Sequence, residues 1–215
     1  MENQELADYQ RLGGFLDRCS AFDSEVEGLL QDGWTTSSTR HVVAMGFCKA
    51  AFEHGVSQRL LVSEGLYGTA LSLIRLHFET TVRAAWVLYA ASESWLKDFT
   101  ALVPTGSLKE PSLGPPIPAM LDAIEPHDAK FTEEGRRLFQ TVKVMHSFVH
   151  GGVHLVVHAL RGYPPAKLID VLRNRNLMSL TLCNVIVVAS GKQALYGSVG
   201  RLSRSYMDIM PPMLH

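Results

Sequence analysis

An all-α bundle of four or five long helices is the architecture this sequence predicts, and three observations carry that expectation. Apolar residues recur every three or four positions along most of the chain. No stretch alternates polar and apolar residues between hairpin turns. The segment 104 to 118 holds five prolines with glycine between them, which forbids regular structure there and predicts a loop. With 215 residues, 47% of them hydrophobic, the chain can bury one substantial core. A single all-helical domain over 1–215 is therefore expected.

Each element follows from its own signals. Residues 4 to 31 place Leu6, Tyr9, Leu12, Leu16, Cys19, Phe22 and Val26 on one face, which predicts a long amphipathic helix loosened at Gly13-Gly14. The hydroxyl residues of GWTTSSTR suit a helix N-terminus. A second helix is expected over 38–63, broken at Ser63-Glu64-Gly65, and a third over 66–91. The short helix ESWLKDFTAL follows, then the proline loop, then a short helix over 118–125. FTEEGRRLFQ offers Thr132 as a cap, with Glu133 and Glu134 matched to the positive helix end. That helix carries the chain to His150. After the turn Arg161-Gly162-Tyr163-Pro164-Pro165, a last long helix is expected over 165–198, with Pro165 at its first position.

Charge and cysteine usage narrow the function classes. The net charge of -1 hides an asymmetry: residues 1–32 carry eight acids against Arg11 and Arg18, and residues 161–215 carry seven bases against Asp170 and Asp208. Docking of the N-terminal helix near the C-terminal one, in the same subunit or a partner, uses these opposite fields. A nucleic-acid patch is the sharper reading, but the basic residues are spread out. Cys19, Cys48 and Cys183 are far apart with no CxxC pair, so neither a disulfide framework nor a thiolate zinc site is expected, and a reducing cytoplasm fits. The first residues, MENQELADYQ, are acidic and polar, so no secretory signal is expected. The longest apolar tract, near 177–190, is interrupted by Ser179, Thr181 and Asn184, which argues against a membrane span.

The third helix carries the first candidate residues. Ala70, Leu73, Ile74, Phe78, Thr81, Ala85 and Leu88 form one stripe, and Arg75, Glu79 and Arg83 form a line opposite. Leu71, Val82 and Trp86 flank that charged line. A helix apolar on both sides belongs at the centre of a bundle, with its charges in a groove or at a subunit contact. His77 falls within the apolar stripe, where a core role is commoner than a ligand role.

The second candidate is HSFVHGGVHLVVH, which spaces His146, His150, His154 and His158 by four. In a continuous helix these would spread over an arc of about 120 degrees, so adjacent pairs could share a metal but all four could not. No HExxH glutamate lies between them and no third ligand is evident, so no metal and no cofactor are assigned. Gly151-Gly152 costs a helix about 1 kcal/mol per glycine relative to alanine and marks an end or a bend. Ser147 and His150 would then sit beside that bend, with His146 one turn earlier.

The helix SLIRLHFETTVRAAWVLY, followed some seventy residues later by MHSFVHGG, resembles a family of uncharacterised bacterial all-helical proteins. That family has an Arg-x-x-x-Glu helix and a Ser-x-x-His-Gly-Gly segment, and is distantly similar to HEPN domains, helical bundles that often dimerise and include RNA-cleaving toxins and antiviral factors. The resemblance covers most of residues 60–190 and singles out Arg75, Glu79, Ser147 and His150. Active HEPN ribonucleases carry an arginine, four to six residues, then a histidine on one helix. Here Arg137 is nine positions before His146, and no histidine follows Arg173 or Arg175 within reach.

Two functional expectations follow. In the first, the protein is a homodimeric binding or interaction module in which Arg75, Glu79 and His150 form a buried network that fixes helix register or lines a small-ligand cleft. His146, His77 and Arg83 are its further candidate ligand contacts. In the second, it is a metal-independent ribonuclease: His150 is the acid or base, Arg75 stabilises the phosphorane charge, and Glu79 orients either partner. Metal binding by His146/His150 or His150/His154 is a weaker third.

Overall fold

The computed structural model describes residues 2–35, 37–101 and 112–212, with side chains described from residue 6 onward except Val144. Among the described residues every regular element is helical. In chain order they are α1 (Glu2–Gly33), α2 (Thr39–Ser63), α3 (Tyr67–Tyr89), α4 (Glu93–Thr100), α5 (Ile117–Ile124), α6 (Ala129–Val149), α7 (Val153–Arg161), α8 (Pro165–Ser190), α9 (Gln193–Ser205) and a 3-10 turn, Met207–Ile209. The five longest, α1, α2, α3, α6 and α8, form the bundle that the periodicity predicts. Most of the proline-rich loop expected over 104–118 lies outside the described residues.

Local chemistry sets the helix ends. Ser38 caps α2 by accepting from the His41 amide, and Ser92 caps α4 by accepting from the Trp95 amide. The cap of α6 is Asp128, whose carboxylate accepts from the Phe131 amide at 2.9 Å, rather than Thr132. Thr132 lies one turn inside, fully buried, and its hydroxyl donates to the Leu121 and Asp128 carbonyls. Its hydroxyl thus ties α6 to α5. Two expected helix boundaries also change. α1 runs through Gly13-Gly14 without a break. The last long helix stops at Ser190, because Gly191 adopts a left-handed φ of 64° and a separate α9 begins at Gln193.

α3 occupies the centre, packed against α2, α5, α6 and α8. It buries Leu71, Ile74, Phe78, Val82, Ala85 and Trp86 from opposite sides, as its two apolar flanks require. α1 covers α8 and α2, so the acidic first helix meets the basic last third of the same chain. There Arg175 pairs with Asp23 and the Lys192 ammonium donates to the Asp32 carbonyl. A reversed pair, Arg18 with Asp208 at 3.0 Å, joins the middle of α1 to the 3-10 turn.

All three cysteines are buried and unbridged. No helix among the described residues is long and apolar enough to cross a membrane.

Candidate functional site

Residues 75, 79 and 83 are one turn apart on α3, so their side chains stack along one line of the helix surface. That line faces α6. The Arg75 Nε donates to Glu79 Oε1 at 2.6 Å, and Arg83 reaches Glu79 Oε2 with both terminal nitrogens at 3.4 Å. One carboxylate therefore serves two guanidiniums. Side-chain exposure is 34% for Arg75 and 18% for Glu79 and Arg83, so the array is half-buried rather than buried. Arg83 Nε is shielded from solvent and has no partner among the described residues.

The imidazole that meets this array is His146. Arg75 donates from its Nη1 to His146 Nδ1 at 2.5 Å, which requires the tautomer with its hydrogen on Nε2. His150, expected to face Arg75, lies against His146 instead, with ring centroids 4.2 Å apart and the planes tilted by 48°. The reason is helix geometry. His150 is the residue that ends α6, at φ -104° and ψ 18°, while His146 is still within the last helical turn that packs on α3. Both imidazoles are exposed.

The four histidines do not share one helix. Gly151 takes a φ of 66°, α6 ends, and α7 starts at Val153. The Ser147 hydroxyl accepts from the His154 amide at 3.1 Å and so supplies the side-chain cap that α7 takes from the preceding helix. A Cβ at Gly152 would lie 2.5 Å from that hydroxyl, so glycine is required for this close return. His158 is stacked between Phe148 and Tyr163, with centroids 6.1 and 5.2 Å away, and its Nδ1 is 3.3 Å from the Gly162 carbonyl oxygen. The series thus divides: His146 and His150 face solvent near Arg75, whereas His158 packs. Among the described residues no group of three or more His, Cys, Asp or Glu side chains could hold a metal ion.

His77 does not join the cluster. It points to the other side of α3, fully buried, where Gln58 of α2 lies 3.2 Å from its Nδ1. Burial, and after it the neighbouring Arg175 charge, hold its pKa well below the ordinary histidine value, so the ring is neutral. It is thus closed to solvent and apart from His146 and Arg83, the other expected ligand contacts.

A second polar assembly went unremarked in the sequence. Arg175 of α8, with none of its side chain exposed, pairs with Asp23 Oδ1 on α1, donates from Nε to the Gly55 carbonyl of α2 at 2.8 Å, and donates to Asn176 Oδ1 at 2.8 Å. Asp23 Oδ2 accepts from Arg59 Nε at 2.7 Å. Three helices are thereby tied to one carboxylate. No local signal marks these residues, because the partners of each lie on other helices, 36 and 152 positions away in the chain for Asp23.

Residues 48–212 match the model of a family of unknown function (DUF6988). Neither a curated protein nor a solved structure matches the chain.

Proposed function

The chain belongs to the family of unknown function DUF6988, and from that premise we propose that it is a HEPN-like binding or interaction module, homodimeric and cytoplasmic. The Arg75, Glu79, Arg83 and His146 array holds α3 and α6 in register rather than cleaving a substrate. The observation that carries this reading is the commitment of its donors. Both Glu79 oxygens are taken by arginines, and Arg75 spends Nε on Glu79 and Nη1 on His146. The Ser147 hydroxyl is engaged in capping α7. A guanidinium anchored at two of its three nitrogens suits a structural hydrogen-bond network.

Self-association is supported by α7. Val153, Val156 and Leu160 are 66%, 51% and 82% exposed and share one side of a nine-residue helix that buries none of its residues. So short a helix is marginal in water unless an apolar face is covered. A second copy supplies the cover. Light-scattering mass of the wild type and of Leu160→Glu tests this: a dimer that becomes a monomer supports it, and a monomeric wild type removes it.

The ribonuclease reading keeps one specific observation in its favour: two exposed imidazoles in ring contact beside a partly exposed guanidinium. One imidazole would remove the ribose 2′-hydroxyl proton, the other would protonate the leaving 5′-oxygen, and Arg75 would stabilise the phosphorane. Purified protein is incubated with total RNA without metal, beside Arg75→Ala, His146→Ala and His150→Ala. Cleavage by the wild type that is lost in variants with unchanged melting temperature establishes the enzyme. An inert wild type, with a lowered melting temperature in Arg75→Ala and His146→Ala, establishes the network.

A further inference from the structure

We propose that the groove between α1 and α2 binds an elongated organic monocarboxylate, its carboxylate on the terminal nitrogens of Arg59 and its apolar body along Val56, Phe52 and Trp34. The groove encloses about 790 Å³, within the size range of small-ligand sites. It is separate from the Arg75 array, none of whose residues line it.

Charge balance at the groove floor defines the head group. Asp23 is the one carboxylate shared by Arg175 and Arg59, so this half-hidden triad carries one positive charge in excess. Arg59 is only 14% exposed, and its Nε is fixed on Asp23 Oδ2. Its two terminal nitrogens have no acceptor among the described residues and are not sealed from solvent. Arg59 is among the residues that line the groove. A desolvated guanidinium with a free edge favours a carboxylate, which accepts two parallel hydrogen bonds in that geometry.

The shape and rim define the rest. Phe52, Val56 and Arg59 lie on one face of α2 at spacings of four and three, which puts Phe52 about 10 Å along the helix from Arg59. Trp34, 43% exposed, stands at the end of α1 and borders the same groove. An extended chain of about ten carbons spans such a distance. Glu27 and Glu53 are exposed carboxylates on the lining, with Lys49. They disfavour polyanions such as nucleic acids or polyphosphates, and leave a single negative charge carried deep on Arg59 as the acceptable one.

Calorimetric titration of the full chain with decanoate, decanol, decylamine and inorganic phosphate tests the assignment. Decanoate is expected to bind saturably, about tenfold or more tightly than decanol, with decylamine and phosphate weaker still. Trp34→Ala, a change at an exposed side chain, is expected to weaken decanoate several-fold. Arg59→Gln is expected to make decanoate and decanol equal. Should that variant fail to fold, the wild-type comparison and Trp34→Ala decide alone. Equal binding of decanoate and decanol by the wild type, preference for decylamine, absence of saturable decanoate binding, or indifference to Trp34→Ala each overturns the proposal.

Discussion

Arg75 and His146 are 71 residues apart in sequence and 2.5 Å apart in space, joined by a hydrogen bond from the guanidinium Nη1 to the imidazole Nδ1. This bond links the central helix to the helix that ends at the glycine pair, and Glu79 holds its arginine in place from one turn away. The arrangement makes Glu79 the residue on which the array depends. Replacing Glu79 with Gln leaves two half-buried guanidiniums without a carboxylate. The expected loss is about 1–3 kcal/mol of folding stability, the range for leaving such groups unpaired. Urea denaturation measures it, and a loss within error of zero would show the array to be a solvated ladder.

Asp23 governs the second assembly. In Asp23→Asn the fully buried Arg175 and the largely buried Arg59 lose their shared counter-charge. Breaking a buried pair from one side costs about 3–5 kcal/mol. Equilibrium denaturation of this variant should therefore show a far larger effect than substitution of the exposed Asp170, which pairs with Lys167 and Arg173 at the surface.

Acid sensitivity is expected from His77. Its folded-state pKa lies well below the ordinary value, so below a pH of about 6.5 the unfolded chain takes up a proton that the native state refuses. Stability is level with respect to this group above that pH. It declines as pH falls from there toward the folded pKa, by about 1.4 kcal/mol per pH unit. His54, lowered in the same direction by burial, adds to the trend. Comparing His77→Gln with the wild type at pH 5 and pH 7 isolates the contribution: the variant should lose less stability on acidification, and equal losses would contradict the assignment.

The return between α6 and α7 is the next testable point. Ser147→Ala removes the hydroxyl that accepts from the His154 amide, at a cost of about 1 kcal/mol. Gly152→Ala should cost more, since the added methyl meets the Ser147 hydroxyl and backbone. If both variants are as stable as the parent by thermal melting, this turn is not held in the manner described.

The thiols give a probe of native burial. Burial pushes Cys19 up to about 11 and Cys183 up to about 12, and raises Cys48 further still. A thiolate-directed reagent at pH 8 should leave all three unlabelled in the folded protein and label all three after denaturation. Rapid labelling of any one without unfolding would show that its part of the core opens.

Much of the fold was legible in the residues themselves. Helix class, the central position of α3, the ends at Ser38 and Gly65, and the stop at the glycine pair all follow from signals within a turn or two of chain. Apolar periodicity, capping hydroxyls and glycine act locally, so they survive in a linear reading. Besides the unbroken α1 and the stop at Gly191, Thr132 was an exception: it has a cap's chemistry, but Asp128 stood four residues earlier and Thr132 was drawn inward toward the Leu121 carbonyl.

What the linear reading could not decide was which side chains meet. His146 and His150 differ by one turn and offer the same chemistry. Their choice rests on where α6 stops and how it is rotated against α3. Asp23, Arg59 and Arg175 carry no shared motif and come together because α1, α2 and α8 pack side by side. The sequence by itself determined the helices and their apolar faces, because those depend on neighbours a few residues away. The pairings across helices were decided by tertiary structure alone, because the relative rotation and offset of two helices depend on side chains spread over the whole core.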